Sequence, residues 1–296
     1  MHVGVTIFLT DRTIDPVELA VAVEERGFHS LYVPEHTHIP TSRRTPPPTG
    51  EADLAEGYKR VLDPYIALAA MAATTSRILL GTGIALVAQH DPIVLAKQIA
   101  TLDRLAGGRF VLGLGFGWNH EEMLDHGVDP KQRWEVAREH TLAMQALWAD
   151  DVAEFHGSHV DLPPCWQWPK PLQRPGVRTL IGGGSGPKLF AAVVEYADGW
   201  MPIGGAGLAK DLPRLHQLLT DAGRDPAALH VVPFGTLPDA GKLARYRELG
   251  VTEVILRLPE AGRDEVLPVL DDFARYLEGR RDLDRQPEVR GARPRL

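Results

Sequence analysis

Three short stretches hold residue types that can do chemistry. The first is Glu35-His36-Thr37-His38, directly after the apolar run Leu31 to Val33. An imidazole at the carboxyl end of a buried strand can line a pocket and donate or accept a proton. His36 and His38 could also be two metal ligands, but no third ligand stands at a sensible spacing and Glu35 is the only nearby carboxylate. The second stretch is Gly107 to Glu122, GGRFVLGLGFGWNHEE. A Gly-Gly-Arg turn leads into the apolar run Phe110 to Leu114, which reads as a buried parallel strand. Gly113, Gly115 and Gly117 then alternate with large residues, and Asn119, His120, Glu121 and Glu122 open a helix. Glycines at a strand end allow a ligand or a backbone to come close, or they only relieve crowding. The spacing is not the dinucleotide fingerprint GxGxxG. The third stretch is Gly182-Gly183-Gly184-Ser185-Gly186, followed by Pro187. Glycines between a strand and a helix start expose N–H groups at the positive end of the helix, which suits a phosphate. A tight turn with no ligand fits the same residues. Nucleophile chemistry has little support: Cys165 has no partner in view, and there is no G-x-S-x-G elbow.

Alternating elements position these stretches. Val3–Leu9 reads as a strand, and Asp15-Pro16 starts a helix that Gly27 stops. Leu31–Val33 is the second strand. Thr37 to Arg60, with Pro40, Pro46, Pro47, Pro48 and Gly50, is too long for a connection and reads as a substrate-side lid or a disordered insertion. Asp63-Pro64 opens a helix through Ala73, and Arg77–Ile84 is the third strand. The helix from Asp91-Pro92 puts Val94, Leu95, Ile99 and Leu102 on one face. After the fourth strand comes a helix over Gln132–Trp148. Asp150–Gly176 is irregular and rich in Trp and Pro. Strands at Arg178–Ile181, Gly199–Pro202, His230–Phe234 and Glu253–Leu256 alternate with helices at Pro187–Tyr196, Leu208–Ala222, Asp239–Leu249 and Arg263–Leu277. Eight strands alternating with helices predict an α/β fold, a (β/α)8 TIM barrel, with extended loops after strand 2 and between strands 4 and 5. The barrel is expected over residues 1–278. Residues 279–296 form a tail with six arginines and no apolar periodicity.

The 296 residues suffice for one large barrel with a sizeable core. A net charge of −7 argues against nucleic-acid or membrane-surface binding by the body of the protein. The single cysteine excludes an internal disulfide and points to a reducing compartment. No window approaches a membrane span and no signal peptide is visible, so a cytoplasmic protein is expected.

The blocks Phe28–Pro40, Ile78–Ile84, Ala96–Leu114, Gly115–Glu122 and Ile181–Pro202, in this order, resemble the bacterial-luciferase-like superfamily. They are most similar to its branch that uses the deazaflavin coenzyme F420. The resemblance implies a cofactor-dependent oxidoreductase acting on a small molecule, and a homodimer. It implies that the tricyclic ring lies in the barrel mouth against a bulge at Gly83-Ile84, with a cis peptide between them. The phosphate would lie at Gly183, Gly184 and Ser185, flanked by Gly182 and Gly186. His36 would stand beside ring and substrate, Glu35 would be a cofactor-binding residue next to it, and Gly115, Gly117 and Asn119 would border the ring edge. Trp118 occupies the place of a glutamate found in the sugar-phosphate dehydrogenases of this family, which favours an apolar or planar substrate and makes His36 and Trp118 the candidate catalytic residues. Arg43, Arg44, Lys59 and Arg60 are candidates for the acidic tail of the deazaflavin. An FMN-dependent monooxygenase is the alternative, since the same barrel and phosphate turn serve both cofactors. A non-catalytic cofactor-binding barrel is a further one. No metal is expected.

Overall fold

The computed structural model describes residues 1–47 and 53–277. The tip of the loop after the second strand, with Pro48 and Gly50, and the arginine-rich tail lie outside the described residues.

Eight parallel strands form the barrel: β1 (His2–Thr6), β2 (Ser30–Val33), β3 (Leu79–Thr82), β4 (Phe110–Leu114), β7 (Thr179–Gly182), β8 (Gly199–Met201), β9 (His230–Val231) and β10 (Glu253–Arg257). β1 pairs with β10 in register from His2↔Glu253 to Thr6↔Arg257. Pro233 interrupts the seventh strand, so β9 is shorter than the expected His230–Phe234. Single hydrogen bonds then carry the closure, such as Ile255 N to Pro233 O at 2.9 Å and Thr236 N to Ile255 O at 3.0 Å.

The expected proline starts hold. Asp15, Asp63 and Asp91 cap α1 (Pro16–Glu25), α3 (Pro64–Ala72) and α4 (Pro92–Leu105), each accepting from N–H groups of the first turn. On α4, Leu95, Ile99 and Leu102 are buried, but Val94 is exposed because it stands about 100° round the helix from Leu95, off that face. The last helix, α10 (Arg263–Phe273), ends earlier than expected and tightens into a 3-10 turn at Ala274–Tyr276.

Both excursions hold structure that the sequence reading lacked. The loop after β2 contains α2 (Glu56–Arg60), whose five residues are too few to show a periodicity. The segment after α6 (Arg133–Ala149) is not irregular throughout: β5 (Ala153–His156) and β6 (Asp161–Cys165) form an antiparallel ribbon. Pro163 and Pro164 within β6 hid it, since proline is tolerated only on such an edge.

The motif residues Asp103 and Arg109 anchor these pieces. The fully buried carboxylate of Asp103 accepts from Leu172 N at 2.7 Å, Gln173 N at 3.1 Å and Gln173 Nε2 at 2.7 Å. The Arg109 guanidinium donates to Ile78 O at 2.7 Å and Thr75 O at 2.9 Å, fixing the end of α3 to β3.

The barrel interior is filled by Tyr32, Val111, Leu180, Met201, Val232 and Ile255. Below this layer lies the carboxyl of Glu253, buried and hydrogen-bonded by Ser30 Oγ. Burial pushes Glu253 up to about 7, against the opposing pull of the Ser30 hydroxyl and the Arg178 charge. A carboxyl raised from 4.5 to about 7 costs stability as pH climbs through that window, because the unfolded chain gives up its proton first. Replacing Glu253 by Gln should therefore change little near pH 4.5 and stabilise the protein by about 3 kcal/mol at pH 8. Chemical denaturation of both proteins across this range checks it, and equal curves at pH 8 would refute it.

Candidate functional site

The carboxyl ends of β2, β3, β4 and β7 meet around Ile84. The Gly83–Ile84 peptide is cis, as the resemblance implies. Glycines make the space for this bulge. A Cβ on Gly83 would strike the Phe234 ring, one on Gly113 the Thr82 carbonyl, and one on Gly115 or Gly182 the Ile84 side chain. Gly113, Gly115 and Gly182 thus relieve crowding around the bulge. Gly117 is needed for another reason: its φ of +70° is left-handed, and a Cβ would meet Met123.

His36 follows β2 and packs on Trp118, which follows β4, with ring centroids 5.7 Å apart. Tyr58 of α2 completes an aromatic triangle, 5.3 Å from His36 and 5.6 Å from Trp118. The second half of the long loop thereby covers the mouth. It is fastened by Leu62 N to Leu9 O at 2.8 Å, and by contact of Tyr58 with Phe8. The first half is fastened to α5 (His120–Asp125) by Glu121. That carboxylate accepts from Arg44 N at 2.8 Å and from Thr45 Oγ1 at 2.7 Å. Partial burial pushes Glu121 up, but the Thr45 hydroxyl and the backbone N–H donors outweigh this and hold it at about 2.

The sequence reading did not single out Glu122 as a site residue. Its side chain has no exposed surface, and Oε2 lies 2.7 Å from His36 Nδ1. Oε1 accepts from Thr37 N at 3.1 Å. An ionised carboxylate only accepts, so the ring proton of a neutral His36 sits on Nδ1. Nε2 is left as an acceptor, with no hydrogen-bond partner among the described residues. The signal for Glu122 was its place three residues after Asn119, inside the first turn of α5, where it could equally have served as a helix-start charge.

Glu35 has a different setting. Both oxygens are taken, by Leu86 N at 2.6 Å and by His90 Nε2 at 2.7 Å. It therefore ties the loop beyond Ile84 to the end of β2. His38 turns to the surface and meets Asp125 at 3.0 Å, so the two histidines of the H-x-H pattern go to different carboxylates. Among the described residues no group of His, Cys, Asp and Glu could hold a metal ion.

Two features leave polar groups unmatched among the described residues. Asn119 is 1% exposed, and neither Oδ1 nor Nδ2 has a hydrogen-bond partner. Orphaned buried amide groups cost roughly 1–3 kcal/mol each. The other feature is the turn before α7 (Pro187–Tyr196), which carries no side-chain cap at Gly186. A Cβ on Gly184 or Gly186 would meet nothing within 4 Å, so packing does not demand glycine there. Trp200 Nε1 holds the turn by donating to Gly183 O at 2.9 Å. Of the basic residues near the mouth, Lys59 pairs with Glu56, and Arg60 with Asp11 and Glu56. The Arg43 guanidinium lies over Trp118 at 5.8 Å. Arg44 keeps its guanidinium without a hydrogen-bond partner among the described residues.

Replacing His36 by Ala, or Glu122 by Gln, should lower turnover at least about tenfold, near 1.4 kcal/mol of barrier, and His36→Ala should also lower the melting temperature, because it leaves the buried Glu122 Oε2 without its donor. Loss of folding with unchanged specific activity would assign the pair to stability instead.

The family model described as luciferase-like monooxygenase matches residues 11–253. An uncharacterised protein of Mycobacterium tuberculosis is 42% identical over 280 residues, covering 94% of this chain and 99% of the relative. Among solved structures, the monooxygenase RslO1 from Streptomyces bottropensis superposes with a TM-score of 0.74 at 20% identity, covering 94% of this chain and 98% of that one. An F420-dependent secondary alcohol dehydrogenase, in complex with an F420-acetone adduct, gives 0.73 at 18% identity, covering 93% and 97%.

Proposed function

The chain belongs to the luciferase-like monooxygenase family, and from that premise we propose that it is an oxidoreductase moving a hydride between the deazaflavin coenzyme F420 and a small organic substrate. One observation carries the reading: an uncapped helix start at α7 whose glycines Gly184 and Gly186 packing does not require. N–H groups at such a start, with the helix dipole behind them, favour an anion. Gly183, Gly184 and Ser185 would hold the cofactor phosphate. The ring would lie against Ile84, in the space bordered by Phe234 and the end of β4, where the Asn119 amide offers both a donor and an acceptor. Arg44, and Arg43 beside Trp118, are the cations available for an acidic tail, since Lys59 and Arg60 are already paired.

When bound, the cofactor supplies a hydride-accepting or hydride-donating carbon; the protein's task is to orient it and to handle the proton. His36 Nε2, left as an acceptor by Glu122, could take the proton of a substrate hydroxyl while the carbon bearing that hydroxyl gives up its hydride to the bound cofactor, leaving a carbonyl. The ionised Glu122 beside Nδ1–H stabilises the imidazolium so formed. Trp118 and Tyr58 present flat apolar walls to the substrate and exclude water from this step. Those walls fit an apolar or planar substrate.

A flavin monooxygenase is the second reading, supported by the likeness in fold to RslO1 and by a phosphate turn that would serve FMN equally. Equilibrium binding of both cofactors separates the two. Micromolar affinity for F420, about −8 kcal/mol, with clearly weaker FMN binding is expected. Gly184→Asp should weaken F420 binding at least tenfold, through charge repulsion at the helix start. Tighter binding of FMN would establish the monooxygenase reading, and an unchanged affinity in Gly184→Asp would remove the phosphate from this turn.

A further inference from the structure

The opposite, amino-terminal mouth of the barrel holds a cavity of about 540 Å³. Its polar lining comes from strand starts: His2 opens β1, His29 precedes β2, Arg178 precedes β7, His230 opens β9 and Glu253 opens β10. A volume of this size is in the range of small-molecule sites and far above the share of a few waters.

The composition of this ring is one-sided. The Arg178 main chain is engaged, its N–H on Gln173 Oε1 at 3.2 Å and its carbonyl accepting from Leu112 N at 2.9 Å. Its guanidinium has no hydrogen-bond partner among the described residues, although it carries five donors and no acceptor. The imidazoles of His2 and His29 stack at 3.9 Å, and His230 lines the same cavity. Burial, then the charges of His2, Arg178 and His230, push His29 down to about 4. Burial and the Arg178 charge also lower His230, against Asp198. The one acid in the lining, Glu253, already has a carboxylate oxygen on Ser30. A guanidinium and three imidazoles thus face a cavity whose only acid among the described residues is Glu253.

We propose that this cavity is a binding site for a small molecule bearing an oxyanion, a phosphate or a carboxylate group, held by the Arg178 guanidinium with N–H donors from His29 and His230. Guanidinium geometry suits either anion through two parallel N–H bonds. The site lies at the barrel end away from Gly184, so it is separate from the proposed cofactor phosphate site.

The test is calorimetric titration of the intact protein with inorganic phosphate and, separately, with acetate, at pH 6.5 and with ionic strength held by KCl. A saturable site is expected for at least one of them. Saturation by phosphate alone would identify a phosphate ligand, and by acetate alone a carboxylate. Arg178→Gln and His230→Gln should each weaken that binding at least tenfold, while Gly184→Asp leaves it in place. Among the described residues, the titratable and charged groups around the cavity are the Met1 α-amino group, His2, His29, His230, Arg178 and Glu253, with Asp198 beside His230 and Tyr32 beside Glu253. Acetate stays ionised above pH 6, and protonation of Glu253 removes the opposing charge, so acetate binding should tighten from pH 8 to pH 6. Heats that follow ionic strength alone, or affinities that both Arg178→Gln and His230→Gln leave unchanged, would overturn the proposal.

Discussion

Burying a carboxylate is tolerable only where donors meet it, and Glu122 is an acid whose side chain has no exposed surface. Its two oxygens are met by the His36 ring and the Thr37 N–H, both at the end of β2. Glu122 itself stands in the first turn of α5, just beyond β4. One side chain therefore locks together two strand ends that are not neighbours in the sheet, and fixes a histidine between two aromatic walls. Take the carboxylate away and the imidazole loses its orientation, its tautomer and the charge that would stabilise its protonated form. The neighbouring Glu121 does a related job for the loop, and Glu35 for the segment after Ile84. Three acids in the site region thus act as clamps between loops.

The glycines divide by what surrounds them. Those at 83, 113, 115 and 182 are required by atoms of the protein, because a Cβ would collide with Phe234, the Thr82 carbonyl or Ile84. Those at 184 and 186 face open space beside an uncapped helix start. The first set builds the bulge; the second leaves a surface that an anion can approach. Asn119, buried with both polar atoms unmatched, follows β4, the strand paired with β7.

Much of the barrel was legible. Asp-Pro pairs mark the starts of α1, α3 and α4, and the apolar runs ending in glycine mark β3, β4 and β7, because local steric and capping rules dictate them. What was not legible depended on contacts distant in sequence. Glu122 and His36 are separated by 86 residues, and nothing local distinguishes Glu122 from Glu121. The glycine pattern of the fourth strand admitted two readings, ligand approach or crowding. Only the position of Ile84 decides for crowding at Gly115 and Gly182, and that of the Thr82 carbonyl at Gly113. The β5–β6 ribbon was hidden by prolines, and α2 by its brevity. Arg43, Arg44, Lys59 and Arg60 looked equivalent in sequence; ion pairs divide them, since Lys59 and Arg60 find acids close by on α2 and after β1.

The central claim is that Glu122 holds His36 with its proton on Nδ1 and Nε2 turned over to chemistry. Nitrogen-15 NMR of the imidazole resonances, assigned through a His36→Gln variant, reads this directly. The account predicts that neutral His36 is the Nδ1–H tautomer in the wild type, and that Glu122→Gln releases the ring to a mixture of tautomers. A neutral His36 carrying its proton on Nε2, or a tautomer balance that Glu122→Gln does not alter, would contradict it.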